Sequence, residues 1–269
     1  MSAHSTATSL APCMLGGRPP AMVAREALRG RNYQALWRMR RVYPRPIDSA
    51  RRYFLGWGDY PYACPVRTPL GIVAPTLFNS HDMWTVNEVF CRRDYGDDRS
   101  ARTVVDIGSN IGISALYFLT RNRECRAWLY EPVPRNIGRL RANLAGYEDR
   151  YTAQESAVAP VAGRVSFGVE DSGRYGGIGV QTGRTIEVST VGINQVLGEV
   201  LELIPAIDVL KIDTEGTELE ILGAIRPELL RRVRTAYLEV EQRPASAPES
   251  FDAAFRNETW VLRNRALSA

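Results

Sequence analysis

Beyond residue 100 the apolar positions follow two periods in turn. Thr103–Ile107 is a short apolar run of strand length, and Ile113–Leu119 reads as a helix. Ala127–Tyr130 predicts a strand. Arg135–Leu144 predicts a helix, with Ile137, Leu140 and Leu144 at spacings of three and four on one face. Thr152–Val158 reads as a strand, and Val165–Val169 and Ile186–Ser189 as an added pair of strands. Gly192–Leu203 then reads as a helix and Asp208–Ile212 as a strand. Glu218–Val233 is a helix interrupted by Pro227, and Ala236–Val240 is a strand. Strands alternating with helices in this way predict an α/β fold, a doubly wound and mostly parallel sheet with helices on both faces. After Glu241 only Thr259–Asn264 has the pattern of a strand, so the far edge of the sheet is expected to be short or incomplete.

The first hundred residues are organised differently. Residues 1–20 are small and polar, with Gly16-Gly17 and Pro19-Pro20, and read as a disordered leader. Residues 21–41 carry a helical stripe of Ala27, Leu28, Leu36, Trp37 and Met39 interleaved with arginine, which Pro44 and Pro46 are expected to end. Val66–Thr68 and Ile72–Ala74 flank Pro69-Leu70-Gly71, a hairpin turn, and Trp84–Phe90 reads as a short helix. The organisation expected is a basic N-terminal extension over 1–60, a hairpin-and-helix cap over 61–100 and the main domain over 101–269.

Composition narrows the class. With 45% hydrophobic and 24% charged residues the chain is an ordinary globular one. No apolar run approaches the roughly 20 residues of a membrane span. Of 34 basic residues only Lys211 is lysine. Residues 1–60 hold ten arginines against Glu26, Asp48 and Asp59, a net +7, while the remainder is mildly acidic. That arm reads as a solvated helical extension whose Tyr33, Trp37, Tyr43, Tyr53 and Trp57 can stack on sugar or ring faces and cap a ligand site of the domain. It matches no nucleic-acid-binding module, so no nucleic acid partner is expected, nor a membrane contact. The four cysteines, Cys13, Cys64, Cys91 and Cys125, form no C-x-x-C pair, and the two histidines, His4 and His81, leave no His/Cys metal set. A reduced, cytoplasmic protein is expected.

Four segments carry chemistry. Asp106-Ile107-Gly108-Ser109-Asn110-Ile111-Gly112 sits where a buried strand hands over to a helix. Its glycines suit a tight turn and close helix packing, and its N–H groups can hold a polar or anionic ligand group. The spacing departs from the dinucleotide pattern G-x-G-x-x-G. Tyr130-Glu131-Pro132 closes the next strand, where an acidic residue is placed to accept from ribose hydroxyls. Lys211-Ile212-Asp213-Thr214-Glu215-Gly216-Thr217-Glu218 runs from an apolar strand into three carboxylates at the same sheet edge, with Glu218 suited to stabilising the following helix. Leu238-Glu239-Val240-Glu241 puts both glutamates on one strand face, either beside Asp213 or paired with the arginines of 230–234.

Taken together, and with Thr68-Pro69-Leu70-Gly71, these segments resemble the FkbM-type methyltransferases, of the Rossmann-like class I S-adenosylmethionine-dependent fold. The resemblance runs over about residues 65–240. It implies a seven-stranded sheet closed by a hairpin and methyl transfer to a hydroxyl of a small saccharide, glycosylated or secondary-metabolite acceptor. On that footing the cofactor S-adenosyl-L-methionine is expected against Asp106, Gly108, Ser109, Asn110, Glu131, Pro132 and Asp213, with its adenine near Glu155 and Ser156. A hydroxyl needs a proton acceptor or a metal to become a good nucleophile. Asp213 and Glu239 are the candidates for that role, as bases or as Mg²⁺ ligands, with His81 as a third candidate base. Two other readings stay open: N-methylation of a small amine, and a non-catalytic cofactor-fold protein acting at a membrane surface. Homo-oligomerisation is left open.

Overall fold

A computed structural model describes residues 37–169, 176–178, 185–245 and 248–267. The leader and most of the stripe over 21–41 lie outside these residues; residues 37–42 are helical. That helix ends before Pro44, as the prolines predict, and Pro46 opens the next one. It occupies the first turn of α1 (Pro46–Leu55), where a missing N–H forfeits no bond, and Gly56 caps the other end at φ 66°.

The cap follows. β1 (Tyr62–Ala63) pairs with β4 (Thr76–Leu77), enclosing the hairpin of β2 (Val66–Thr68) and β3 (Gly71–Val73). α2 (Ser80–Val86) starts on a capping box in which the Asn79 side chain accepts from the N–H groups of His81 and Asp82 and Asp82 answers back. It continues into a wider π turn over Asn87–Arg92.

The main sheet contains β5 (Thr103–Ile107), β6 (Arg126–Tyr130), β7 (Tyr151–Gln154), β12 (Ile207–Ile212), β13 (Val233–Leu238), β14 (Phe251–Arg256) and β15 (Thr259–Asn264). Its order is β14-β15-β13-β12-β5-β6-β7. The five central and near-edge strands are parallel, and β15 is antiparallel to both neighbours. The sheet is therefore complete. The closing hairpin expected to be short has six residues in each strand and turns at Asn257 and Glu258, both at positive φ (52° and 68°), the backbone of a two-residue hairpin loop. A second departure concerns 152–158. It is two strands: β7 ends at Gln154, and β8 (Ala157–Ala159) joins a separate sheet with β9 (Gly163–Val169), β10 (Gly176–Ile178) and β11 (Thr185–Gly192). The expected pair is β9 and β11, antiparallel.

Helices cover both faces. α3 (Ile113–Leu119) and α4 (Pro134–Asn143) pack on one core with the cap. α5 (Ile193–Leu203), α6 (Glu218–Ala224) and α7 (Pro227–Leu230) pack on the other. Alternation sorts the strands between them: Val104 and Val209 face the first core, Val105 and Leu210 the second. Asp106 and Lys211 fall on the same side as Val104 and Val209, and they are opposite each other in the β5–β12 register. The chain reverses its winding between these two strands, the place where open α/β sheets bind ligands. Among the described residues no helix is long and apolar enough to cross a membrane.

Candidate active-site cleft

The cleft opens where β5 and β12 end. Gly108 turns the chain at φ 80°, and its N–H donates to the Tyr130 carbonyl at 3.0 Å. A Cβ there would lie 1.7 Å from the Asp213 carbonyl oxygen, so only glycine lets the two strand ends meet. Gly112, at φ 84°, brings α3 against α4: a Cβ would sit 3.1 Å from Leu140 Cγ. Ser109 is buried and donates to the Asp106 carbonyl at 2.8 Å, and Asn110 takes a positive φ of 47°.

Lys211 is only 2% exposed. Its Nζ lies 3.1 Å from Asp106 Oδ1 and 3.1 Å from Asp213 Oδ2, and donates to the Gly108 carbonyl at 2.9 Å. Burial alone would lower the lysine's pKa. The negative charges of Asp106, Asp213 and Glu239 outweigh it and hold the ammonium well above its ordinary range. Asp106 is wholly buried and also accepts from Ser114 Oγ. One buried cation thus ties the glycine turn to the two strand ends.

Glu239 follows β13 and opens to solvent through the cleft. Surrounding protein and the nearby Asp213 charge push its carboxyl up to about 8, against the opposing pull of Lys211 and a hydrogen bond from Tyr95. Solvent reaching it tempers that shift. Tyr95 is a residue the sequence reading missed. Its hydroxyl donates to Glu239 Oε1, and its ring packs edge-on to Tyr237, whose own hydroxyl donates to the Tyr95 carbonyl at 2.9 Å. Nothing in the local pattern marks it beyond an aromatic residue in a charged stretch.

Glu131 directly follows β6 and is buried. It accepts from Asn110 N–H (2.9 Å), Val133 N–H (3.0 Å) and Asn136 Nδ2 (3.2 Å), so it staples the glycine turn to the start of α4. Burial pushes its carboxyl up to about 7, with those donors pulling the other way. Pro132, half-buried, bridges Glu131 to α4. Beside this edge Ser156 is buried with an unpartnered Oγ, while Glu155 is exposed.

The remaining candidates divide. Glu215 lines the cleft at φ 59°, whereas Glu218 turns inward, accepting from the N–H groups of Thr214 (2.8 Å) and Gly216 (3.0 Å) to fix the loop. Glu218 therefore does not join the cleft. His81 is not brought there either: its ring packs edge-on to Trp84 at 4.7 Å, and α2 turns Asp82 and Thr85 to the cleft in its place. The arginine pairing considered for Glu239 is not used, because Arg234 pairs with Asp208 and Arg232 donates to backbone carbonyls. A divalent cation does not fit Asp213 and Glu239. One carboxylate is engaged by Lys211 and the other by Tyr95, and among the described residues no group of three or more His, Cys, Asp or Glu side chains is placed to hold a metal ion. Of the extension expected to cover the acceptor, residues 1–36, with Tyr33, lie outside the described structure. None of 37–60 lines the cleft; Tyr43 is buried in the first core.

The comparisons identify the family. Residues 106–259, more than half of the chain, match the family model described as Methyltransferase FkbM domain. The chain is 25% identical over 211 residues to the 31-O-demethyl-FK506 methyltransferase FkbM of Streptomyces tacrolimicus, covering 65% of this chain and 80% of that one. Among solved structures it is similar to a methyltransferase FkbM from Methylobacillus flagellatus KT, at 15% identity and a TM-score of 0.44 over 68% of this chain. It spans 54% of that protein's length, about half. A methyltransferase from Geobacter sulfurreducens matches at 15% identity and a TM-score of 0.38, over 66% of this chain and 77% of that one.

Proposed function

Since the chain belongs to the FkbM methyltransferase domain family and is a methyltransferase, we propose that it uses S-adenosyl-L-methionine to methylate a hydroxyl of a small polar acceptor, such as a saccharide or a secondary metabolite. The residues fit the cofactor. The Gly108–Gly112 turn, held in shape by Glu131, and the orphaned Ser156 Oγ lie along one sheet edge, which offers polar partners to a ribose and an adenine. When bound, S-adenosylmethionine supplies an electrophilic methyl group on a sulfonium, a good leaving group.

The chain's own part is alignment and proton removal. The observation that carries the hydroxyl reading is Glu239, a carboxylate open to the cleft beside Asp213, with its pKa raised above the ordinary range by its surroundings and the Asp213 charge. Deprotonated, it takes the hydroxyl proton while Tyr95 holds one of its oxygens in place. Lys211 pairs with Asp213 and with Asp106 beneath the turn, holding the two strand ends together. An amine needs less base assistance, so the same glutamate gives it less advantage.

The test is direct. Isothermal calorimetry is expected to show S-adenosylmethionine binding, and methyl-labelled cofactor is expected to mark hydroxyl acceptors over amine analogues of the same skeleton. Label appearing only on amines would favour N-methylation, and absence of cofactor binding would remove the proposal.

A further inference from the structure

A second cavity lies at the other end of α3 from the cleft. Ile113 and Ser114, at the start of that helix, line the cleft; Thr120 and Arg121, just past its end, line this cavity. The π turn is divided in the same way, with Glu88 and Val89 toward the cleft and Phe90 toward the cavity. The cavity volume is about 220 Å³, below the roughly 300–1,000 Å³ of sites for drug-sized ligands. That size suits a compact ligand.

Five arginines line it: Arg41, Arg67, Arg93, Arg99 and Arg121. Among the described residues no carboxylate lines it. Among the described residues only Asp97, exposed on the surface, pairs with Arg93 and Arg121, one charge for two. Arg121 is 8% exposed, and the Nε atoms of both Arg121 and Arg93 are buried without a hydrogen-bond partner. Burial and the charge of Arg93 push Arg121 down to about 10, the mark of a cation short of counter-charge. Two of the other heads are held in place: Arg67 donates to the Tyr43 carbonyl at 3.0 Å, and Arg41 stacks on Trp37 at 3.7 Å. The rest of the N-terminal sequence supplies no surplus of acid, since residues 1–36 carry Arg18, Arg25, Arg29 and Arg31 against Glu26 alone.

Like charges gathered around one cavity repel, and a multidentate anion relieves that repulsion while satisfying the spare donors. Guanidinium forks match the oxygens of a phosphate in pairs. We propose that this arginine-lined cavity is a second ligand site, which binds a phosphate group either free or carried on a small metabolite.

Calorimetry of the full chain at constant ionic strength tests it, with inorganic phosphate in one arm, glycerol phosphate in the other and sodium chloride as the control. Saturable one-site binding of at least one of the two is expected. Arg67→Gln and Arg99→Gln replace exposed side chains and leave the core intact. Each is expected to weaken binding about tenfold, the scale of one charge-assisted hydrogen bond, with S-adenosylmethionine binding unchanged. Tighter binding of inorganic phosphate identifies the free ion as the occupant, and tighter binding of glycerol phosphate identifies a phosphomonoester. Heats matching the chloride control in both arms, or full affinity in both variants, would overturn the proposal.

Discussion

Glu131 and Glu239 each directly follow a parallel strand, β6 and β13, and both carboxyls are pushed above their ordinary range, to about 7 and about 8. Their surroundings differ. Glu131 is sealed in and spends its oxygens on three of the chain's own donors. Glu239 opens to the cleft and has one phenol on one oxygen. The same residue type at equivalent strand ends is thus a staple in one place and an available proton acceptor in the other. What separates them is the number of donors committed to each carboxylate, not the direction of its pKa shift. Lys211, between Asp106 and Asp213, holds the two regions in one frame.

The largest expected effect comes from breaking that frame. Lys211→Met leaves Asp106 as a buried, uncompensated carboxylate and is expected to cost about 3–5 kcal/mol in chemical denaturation. A loss under 1 kcal/mol would mean that the lysine does not support the fold. Next is the staple. Glu131→Ala frees the Asn110 N–H along with any ribose contact, and should weaken S-adenosylmethionine binding by about 1.5–3 kcal/mol in calorimetry. A similar loss from Glu239→Ala would erase the distinction between the two glutamates.

A smaller effect is the pH dependence of stability. Glu131 has a higher pKa folded than unfolded, so the native state binds the extra proton. Its contribution is complete below about 4.5 and is lost as pH rises through about 7. Glu131→Gln is expected to flatten that part of the profile in thermal melts, and an unchanged slope would contradict the shift. Smallest is Tyr95→Phe. The lost hydrogen bond favoured the ionised form of Glu239, so the rate–pH midpoint should move up, not down.

Much of this site was legible because strand ends are. Gly108, Glu131, Asp213 and Glu239 each sit just past an apolar strand, Asp106 and Lys211 one residue before a strand's end, and a parallel sheet gathers those ends at one edge. Tyr95 was not legible. It lies between the π turn and β5, in a stretch without periodicity, and reaches Glu239 only through tertiary packing against Phe118 and Tyr237. The stapling by Glu131 was hidden for the same reason, since two of its donors are backbone N–H groups that every sequence has. β14 was missed because an edge strand shows little apolar alternation: of Phe251–Arg256 only Phe251 is buried. Its turn uses Asn257-Glu258, without the glycine that usually marks such a hairpin. The histidine was overvalued for its chemistry, whereas the helical phase of α2 sends Asp82 and Thr85 to the cleft.

The central claim is that Glu239 accepts the acceptor's proton. It is tested by measuring methyl transfer against pH for the wild type and Glu239→Gln under saturating S-adenosylmethionine. The wild-type rate is expected to rise with pH through a midpoint above the ordinary carboxylate range, as the basic form of Glu239 accumulates. Glu239→Gln is expected to lose about 10²–10⁴ in turnover, along with that rise, while still binding the cofactor. Wild-type turnover and an unaltered pH profile in the glutamine variant would contradict the claim.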